Sequence, residues 1–157
     1  MKKPILVSIL ALVLSSTVIA AALKPHKAAP RDKCPICGMF VAKYPDFAAQ
    51  IQFRDGSVLH FDGAKDMVKC YQNLSRYAPG RKPTDIIAIF VTSYYDLTMV
   101  DGRTAFYVPG SDVYGPMGRE LIPFARESEA RDFLKDHQGK AVIRFQEVTP
   151  EVIRRLD

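Results

Sequence analysis

The sequence has no stripe of lysine and arginine interleaved with aromatic residues, and it has no second CxxC or CxxH pair beside the one at residues 34–37. Its 22 basic and 17 acidic residues are scattered among each other, which is typical of a solvated surface rather than of a nucleic-acid-binding face. A closed zinc site needs about four ligands, so a structural zinc ion would have to draw its other donors singly from elsewhere. These absences argue against nucleic-acid binding and against a zinc knuckle.

No apolar run reaches the roughly 20 residues that a membrane-spanning helix needs. The longest run, from Ile5 to Ala22, follows two lysines and ends in small residues that offer an A-x-A-like cleavage site. We therefore expect residues 1–23 to be an export signal that is cleaved, with an uncleaved membrane anchor as the alternative. A lipoprotein would need a cysteine just after the apolar run. The first cysteine is Cys34, and lipid anchoring is therefore disfavoured.

The composition, 48% hydrophobic and 25% charged, suits one globular domain with a modest core. Residues 24–31 contain two prolines and several basic residues without apolar periodicity, a pattern that predicts a flexible tether. We expect the domain to occupy residues 32–157, with halves of approximately 32–91 and 92–157.

The first half of the domain shows a hairpin, helix and strand pattern. A D-G turn separates two extended stretches, 47–53 and 57–61, and predicts a β-hairpin. Apolar residues at helical spacing over 64–74 predict a helix, with Asp62 as its N-cap. The short β-branched run at 86–91 predicts a buried strand. The first half is therefore predicted to be a ββαβ unit.

The second half repeats this order. Strand patterns at 105–108 and 120–124 precede a helical pattern at 128–137, and a last strand is predicted at 141–145. Gly139 would end the helix, because a residue just past a helix C-terminus often needs a positive φ. The whole pattern predicts an α+β fold in which two similar ββαβ units form one compact domain after the N-terminal segment.

Three soft sulfur donors lie within six residues: Cys34, Cys37 and Met39. Thiolates and thioethers favour Cu(I), and Gly38 permits the tight turn that would aim neighbouring donors at one ion. A CxxC pair also occurs in zinc knuckles, thioredoxin-like redox motifs and structural disulfides. These alternatives stay open at this point, and Met39 favours copper.

Another methionine, Met117, lies in a loop of glycine and proline at residues 114–119. Buried methionine usually fills a core, and the spacing alone favours that packing role. The loop, however, gives Met117 few apolar neighbours in the sequence. A role for Met117 as a metal ligand is therefore the second interpretation.

His60 and Cys70 are two further residues with metal-binding or redox chemistry. His60 precedes an F-D-G stretch and is a candidate donor, since imidazole suits copper as well as zinc; a surface or packed strand residue is the ordinary interpretation. Cys70 falls on the apolar side of the predicted helix, so we expect a buried, inert thiol. An intermolecular disulfide through Cys70 is the minority alternative.

The main enzymatic alternative is a thiol–disulfide oxidoreductase that uses the Cys34-Pro-Ile-Cys37 stretch. Such a motif normally begins a helix, whose N-terminus lowers the pKa of the first thiol. Residues 40–45 show no helical pattern. The preferred hypothesis is therefore metal binding without a catalytic residue, and no small-molecule substrate or organic cofactor is implied.

Three separated motifs carry a family resemblance. They read DKCPICGMFVAKYPD, FDGAKDM and GSDVYGPMGRELIPF in chain order, and over roughly residues 32–150 they resemble the NosL family of nitrous oxide reductase accessory proteins. The resemblance implies an exported, usually membrane-tethered, copper(I)-binding protein. It also implies a fold similar to that of the organomercurial lyase MerB, with paired ββαβ units.

The resemblance further implies a ligand set and a partner. The family's C-G-M motif falls on Cys37 and Met39, and its G-P-M-G motif falls on Met117. Cys34 fits a CxxCGM variant, in which it ligates the metal, substitutes for Cys37 or pairs with it as a disulfide. The implied function is to bind Cu(I) in the periplasm and deliver it to a copper enzyme, with nitrous oxide reductase as the expected recipient. The chain lacks the family's lipobox cysteine, which bears on membrane attachment rather than on metal chemistry.

Overall fold

The computed structural model describes residues 23–157. The predicted signal or anchor segment, 1–23, lies outside the described residues except for its last position. Among residues 23–157, no helix is both long and apolar enough to cross a bilayer.

Each half of the domain contains a hairpin, a helix and a returning strand, as the sequence patterns predict. The first half comprises β1 (Ala49–Phe53), β2 (Val58–Phe61), α1 (Ala64–Gln72), α2 (Leu74–Tyr77), β3 (Ile86–Thr92) and β4 (Met99–Asp101). The second half comprises β5 (Phe106–Gly115), β6 (Gly118–Phe124), α3 (Glu127–Asp136), β7 (Ile143–Arg144) and α4 (Pro150–Arg154). The elements β4, α2 and α4 were not predicted, and β5 extends well past the predicted strand.

Two antiparallel sheets repeat the same strand order. The first sheet is β2-β1-β3-β4 and the second is β6-β5-β7. In each sheet the first strand pairs with its hairpin partner on one side and with the returning strand on the other. This arrangement confirms the prediction of two similar ββαβ units in an α+β fold, since strand pairing and not only element order is repeated.

The helices pack on one face of each sheet. In the first half, Met67 and Val68 of α1 belong to the same buried cluster as Ile51 and Phe61 of the sheet. In the second half, Phe133 of α3 belongs to a smaller cluster together with β5 and β6 residues. Full burial of side chains of this size stabilises a fold by about 1.5–3 kcal/mol each. The packing fixes the start of α1 against the end of β2, where the candidate site lies.

The end of α3 differs from the prediction. The positive φ, 53°, occurs at Gln138 and not at Gly139. Gly139 is needed for space, because a Cβ there would lie 2.3 Å from a methyl carbon of Val108. The prediction that Gly139 supplies the left-handed residue was therefore wrong, although the helix does end at this place.

The other face of the first sheet is covered by the segment before residue 32. The side chain of Gln50 donates to the carbonyl oxygen of His26 and accepts from its N–H, both at 2.9 Å, and Gln52 donates to the carbonyl oxygen of Lys24 at 2.7 Å. Both glutamines are buried. Contacts with the domain thus begin at Lys24, inside the segment for which a flexible tether is predicted.

Candidate metal centre

The loop that carries the CxxC pair is folded back on itself by backbone hydrogen bonds. Cys34 donates its N–H to the carbonyl oxygen of Met39, and Gly38 donates its N–H to the carbonyl oxygen of Cys34, both at 2.9 Å. Gly38 has a φ of +78°, a conformation that L side chains rarely adopt. The turn therefore depends on this glycine, as predicted, and it presents both thiols toward the start of α1.

Four potential ligand atoms meet at that position. One from each of Cys34, Cys37, Asp62 and Asp66 lie within 4.8 Å of one another. The sulfur of Cys34 lies 3.3 Å from Oδ2 of Asp66, and the sulfur of Cys37 lies 3.3 and 3.4 Å from the two carboxylate oxygens of Asp62. Cys34 and both aspartates are buried, while Cys37 is partly exposed. The cluster thus has a buried base and an open side at Cys37.

The thiols of this cluster are protonated at neutral pH. Burial raises the pKa of Cys34 far above its usual range, and neighbouring carboxylates raise it further. Burial also raises the pKa of Cys37 to about 11. For Asp66, burial raises the pKa of the carboxyl group. A metal ion that binds here as a thiolate complex must therefore displace the thiol protons.

The structure corrects the role predicted for Asp62. The N-cap of α1 is Gly63, and no side chain caps the helix. The Asp62 carboxylate instead accepts hydrogen bonds from Cys37. Sequence reasoning also missed Asp66, which lies in the first turn of α1. The signal that could have found it was the position of Asp66 in the first turn of the predicted helix, only four residues after Asp62.

Met117 occupies the turn between β5 and β6. Residues Gly115 and Gly118 pair across this hairpin, and the Met117 residue is 46% exposed. This exposure excludes the core-packing role that the sequence pattern favoured. The Met117 carbonyl oxygen accepts a hydrogen bond of 3.1 Å from Nζ of Lys65, the residue that precedes Asp66.

A buried carboxylate joins the Met117 turn to the start of α1. Glu120 is 2% exposed and accepts from the N–H of Lys65 at 2.6 Å and from that of Leu121 at 2.9 Å. A Cβ on Gly63 would lie 2.3 Å from Oε2 of Glu120, and one on Gly115 would lie 3.0 Å from the same atom. The F-D-G segment and the G-P-M-G turn therefore pack closely through Glu120, and both glycines are required by that contact.

The remaining predicted site residues have different positions. Met39 lies two residues beyond Cys37 in the same loop, partly buried, and its carbonyl oxygen holds Cys34 in place. His60 pairs with Gln50 across β2 and β1, so it lies on the sheet face opposite Phe61 and α1. Its Nε2 atom is 3.7 Å from Oδ2 of Asp32. The structure thus brings Cys34 and Cys37 together with two aspartates and places His60 elsewhere.

Cys70 is fully buried in the main core cluster as a free thiol. Burial raises its pKa to about 11. Its environment is that of an inert, packed thiol, and the interpretation of Cys70 as a buried core residue is confirmed.

Comparisons of the sequence and of the fold with known proteins both find NosL proteins. The sequence profile of the NosL family matches residues 25–153. The chain is 26% identical over 138 residues to the copper-binding lipoprotein NosL of Stutzerimonas stutzeri, covering 87% of this chain and 72% of that protein. The fold is similar to the crystal structure of the copper chaperone NosL from Shewanella denitrificans. That match has a TM-score of 0.68 at 20% identity and covers 82% of this chain and 97% of the other.

Proposed function

The chain belongs to the NosL family, and from this premise we propose that it is an exported accessory protein that binds Cu(I) and delivers it to a copper enzyme outside the cytoplasm. The two relatives described above are a copper-binding lipoprotein and a copper chaperone. Nitrous oxide reductase is the recipient that the family resemblance implies. Export would place the protein in the periplasm, either free after cleavage of residues 1–23 or held by them at the membrane.

The observation that carries this proposal is the pair of thiols in the cluster, Cys34 at its buried base and Cys37 at its open side. A metal–thiolate bond is about 2.3 Å long for zinc, so two such bonds to one ion span up to about 4.6 Å. The sulfur atoms of Cys34 and Cys37 lie within 4.8 Å of each other. Their spacing therefore suits a two-coordinate or three-coordinate soft ion with little movement of the loop.

Thioether donors would complete the site. Met39 is in the same loop as Cys37, and the turn with Met117 is held against the segment that bears Asp62 and Asp66. We propose that Cu(I) is held by Cys34, Cys37, Met39 and Met117, with two or three sulfurs bound at a time. Carboxylate oxygen is a poor match for a soft monovalent ion. The aspartates would therefore not ligate the ion, and the thiol protons would leave for solvent.

Transfer would proceed by ligand exchange at the exposed side. Met117 is nearly half exposed, whereas Cys34 is buried. A donor of the recipient would enter beside Met117 while the buried thiolate still holds the ion, and the last thiolate would leave as its proton returns. No bond other than the metal–ligand bonds is broken, and the proposal therefore assigns no catalytic residue.

The test is a competitive Cu(I) titration of the reduced protein under anaerobic conditions. We expect Cys37→Ser to weaken binding at least 100-fold, and Met39→Leu and Met117→Leu to weaken it about tenfold each. The control variants are Cys70→Ala for the thiols and Met67→Leu for the thioethers, since both residues are core residues remote from solvent. Unchanged affinity in the two methionine variants would remove Met39 and Met117 from the ligand set.

A second candidate function is suggested by the carboxylates. Cys34, Cys37, Asp62 and Asp66 together offer two sulfur and two oxygen donors, a set of four that a zinc ion accepts. This alternative predicts tight Zn(II) binding that is lost in Asp62→Asn and Asp66→Asn and is insensitive to Met117→Leu. Copper binding through sulfur predicts the reverse sensitivity. The same set of variants, titrated with both metals, therefore separates the two functions.

A thiol–disulfide oxidoreductase is disfavoured by the environment of the thiols. The segment after Cys34 is a turn, followed only by a single 3-10 turn at Val41–Lys43. Burial raises the pKa of both Cys34 and Cys37, whereas a redox-active CxxC needs a lowered pKa on its attacking thiol. The cluster therefore suits metal storage and release better than disulfide exchange.

A further inference from the structure

A separate cavity lies on the sheet face that is turned away from the thiol cluster. It has a volume of about 350 Å³, and its lining includes His26, His60 and Met99 together with mainly apolar neighbours. None of these three residues belongs to the thiol and carboxylate cluster. Two imidazoles and a thioether at one cavity make a second concentration of metal-binding side chains.

The three residues are arranged around the side chain of Gln50. Gln50 is the cross-strand partner of His60, and its amide is hydrogen-bonded to the backbone of His26. The same amide nitrogen lies 3.1 Å from the sulfur of Met99. His60 and Met99 therefore both neighbour Gln50, which holds the backbone of His26 beside them, and all three residues line the one cavity. A thioether sulfur has two lone pairs, so this hydrogen bond leaves one of them for an ion.

His60 is oriented by a carboxylate. Its side chain is 10% exposed, and its Nε2 atom lies 3.7 Å from Oδ2 of Asp32. Asp32 is itself fixed, because its Oδ2 atom accepts a 2.7 Å hydrogen bond from the N–H of Ala29. Metal-ligating histidines usually direct their other ring nitrogen at a carboxylate or carbonyl, and Asp32 stands on that side of His60 at an ion-pair distance longer than a hydrogen bond. Nδ1 of His60 is the donor that this arrangement leaves available.

The covering segment supplies the remaining ligand. Residues 24–28 are held on the sheet by Gln50 and Gln52, and this segment brings His26 to the mouth of the cavity. His26 is exposed while His60 is largely buried. An ion would therefore be bound at the cavity mouth between a buried and an exposed imidazole.

From these contacts we infer that the cavity is a second Cu(I) site, with His26, His60 and Met99 as its ligands. Imidazole nitrogen and thioether sulfur are both good donors for copper, and the thioether favours the monovalent ion. The site contains no cysteine and is independent of the thiol cluster. His60 and Asp32 are each two residues from a member of that cluster, Asp62 and Cys34 respectively, so the two sites would be adjacent along the chain.

The experiment removes both thiols of the cluster and measures the Cu(I) binding that remains. The full chain with Cys34→Ser and Cys37→Ser is titrated with Cu(I) under anaerobic conditions, and we expect about one equivalent to bind still. Adding His26→Gln and His60→Gln should weaken that binding at least tenfold, and adding Met99→Leu should weaken it severalfold. His137→Gln is the matched control, because His137 lies beside Asp112 in the other half.

A direct readout comes from the imidazole nitrogen resonances, since Cu(I) is diamagnetic. In the double cysteine variant, one equivalent of Cu(I) should shift the ring-nitrogen resonances of His26 and His60 and leave those of His137 unchanged. The inference is overturned if the double cysteine variant binds no Cu(I), or if the histidine variants bind it as tightly as their parent. Binding of Zn(II) or Cu(II) without Cu(I) would overturn the assignment of the metal. Each outcome is independent of whether the thiol cluster binds copper.

Discussion

The Nζ atom of Lys65 lies 3.1 Å from the carbonyl oxygen of Met117. These residues are far apart in sequence, one at the start of α1 and the other in the β5–β6 turn. The same ammonium donates to the carbonyl oxygen of Leu156 at 3.2 Å and is 3% exposed. Lys65 thus fastens the turn that bears Met117 to the helix that bears Asp66.

Replacing Lys65 with methionine should loosen that turn. Lys65→Met keeps the length of the side chain but leaves the carbonyl oxygens of Met117 and Leu156 without their donor. Loss of such buried partners costs about 1–3 kcal/mol, and we expect the free energy of unfolding in urea to fall by about 2 kcal/mol. Lys69→Met is the control, because Lys69 pairs with Asp157 near the surface and its loss should cost less than about 1 kcal/mol. Equal effects of the two variants would contradict this role.

Adding a methyl group at Gly63 should disrupt the contact with Glu120. In Gly63→Ala the new Cβ would lie 2.3 Å from Oε2 of Glu120, so the carboxylate or the backbone must move. Overpacking of this kind costs about 1–3 kcal/mol, and we expect a loss near the upper end in a denaturation experiment. Gly56→Ala serves for comparison, since its Cβ meets no atom and only the φ of +84° is strained, at about 1 kcal/mol.

The buried Glu120 should make stability depend on pH. Burial raises its pKa from 4.5 to about 7, so the folded protein holds this proton more tightly than the unfolded chain does. The contribution is therefore fully present below about pH 4.5 and is lost as the pH rises to about 7. At 1.36 kcal/mol per pH unit, it amounts to about 3 kcal/mol.

Glu120→Gln should remove that dependence, because an amide keeps the acceptor oxygen and has no charged form. The measurement is the free energy of unfolding at several pH values between 4.5 and 7.5. Glu127→Gln, on the exposed surface of α3, should leave the slope of the parent protein intact. An unaltered slope in Glu120→Gln would show that another group is responsible.

Copper affinity should rise with pH. Both cysteines of the cluster have a raised pKa, that of Cys37 to about 11, so both are protonated across the neutral range and must lose a proton to bind as thiolates. Each proton released to solvent changes the dissociation constant about tenfold per pH unit. Between pH 6 and 8 we expect the dissociation constant to fall by nearly two decades per unit.

In Cys37→Ser the same dependence should drop to about one decade per pH unit, because only Cys34 then releases a proton. Competition titrations at three pH values in that range measure both slopes. A flat profile in the parent protein would mean that the thiols do not bind the ion as thiolates.

The sequence patterns were sufficient for the hairpin, helix and returning strand of each half and for their order, but not for β4, α2 and α4. The β-branched run of β3 and the helical spacing of Met67 and Val68 are local consequences of which residues are buried. The repeated ββαβ order and the Gly38 turn follow from the same local information. The sequence also identified Cys34, Cys37, Met39 and Met117 as the sulfur-bearing residues of interest, and their role as ligands stays a prediction.

The patterns failed where a residue's partner is distant in the chain. Asp62 was assigned to the nearest backbone N–H groups, but the Cys37 thiol occupies its carboxylate. Gly139 was assigned a conformational role, but its lack of a side chain is required by Val108. In both cases a contact between separate elements replaced the local interaction from which the prediction was made.

What the sequence determined by itself is the kind of chemistry and the order of the elements, because side-chain softness and hydrophobic period belong to single residues and their near neighbours. Only the tertiary structure decided which donors meet. It set Asp62 and Asp66 beside the two thiols, joined Lys65 to Met117, and turned His60 to the other face of the sheet with Gln50. These contacts depend on strand register and helix packing between segments that are distant in the chain. No local sequence pattern encodes them.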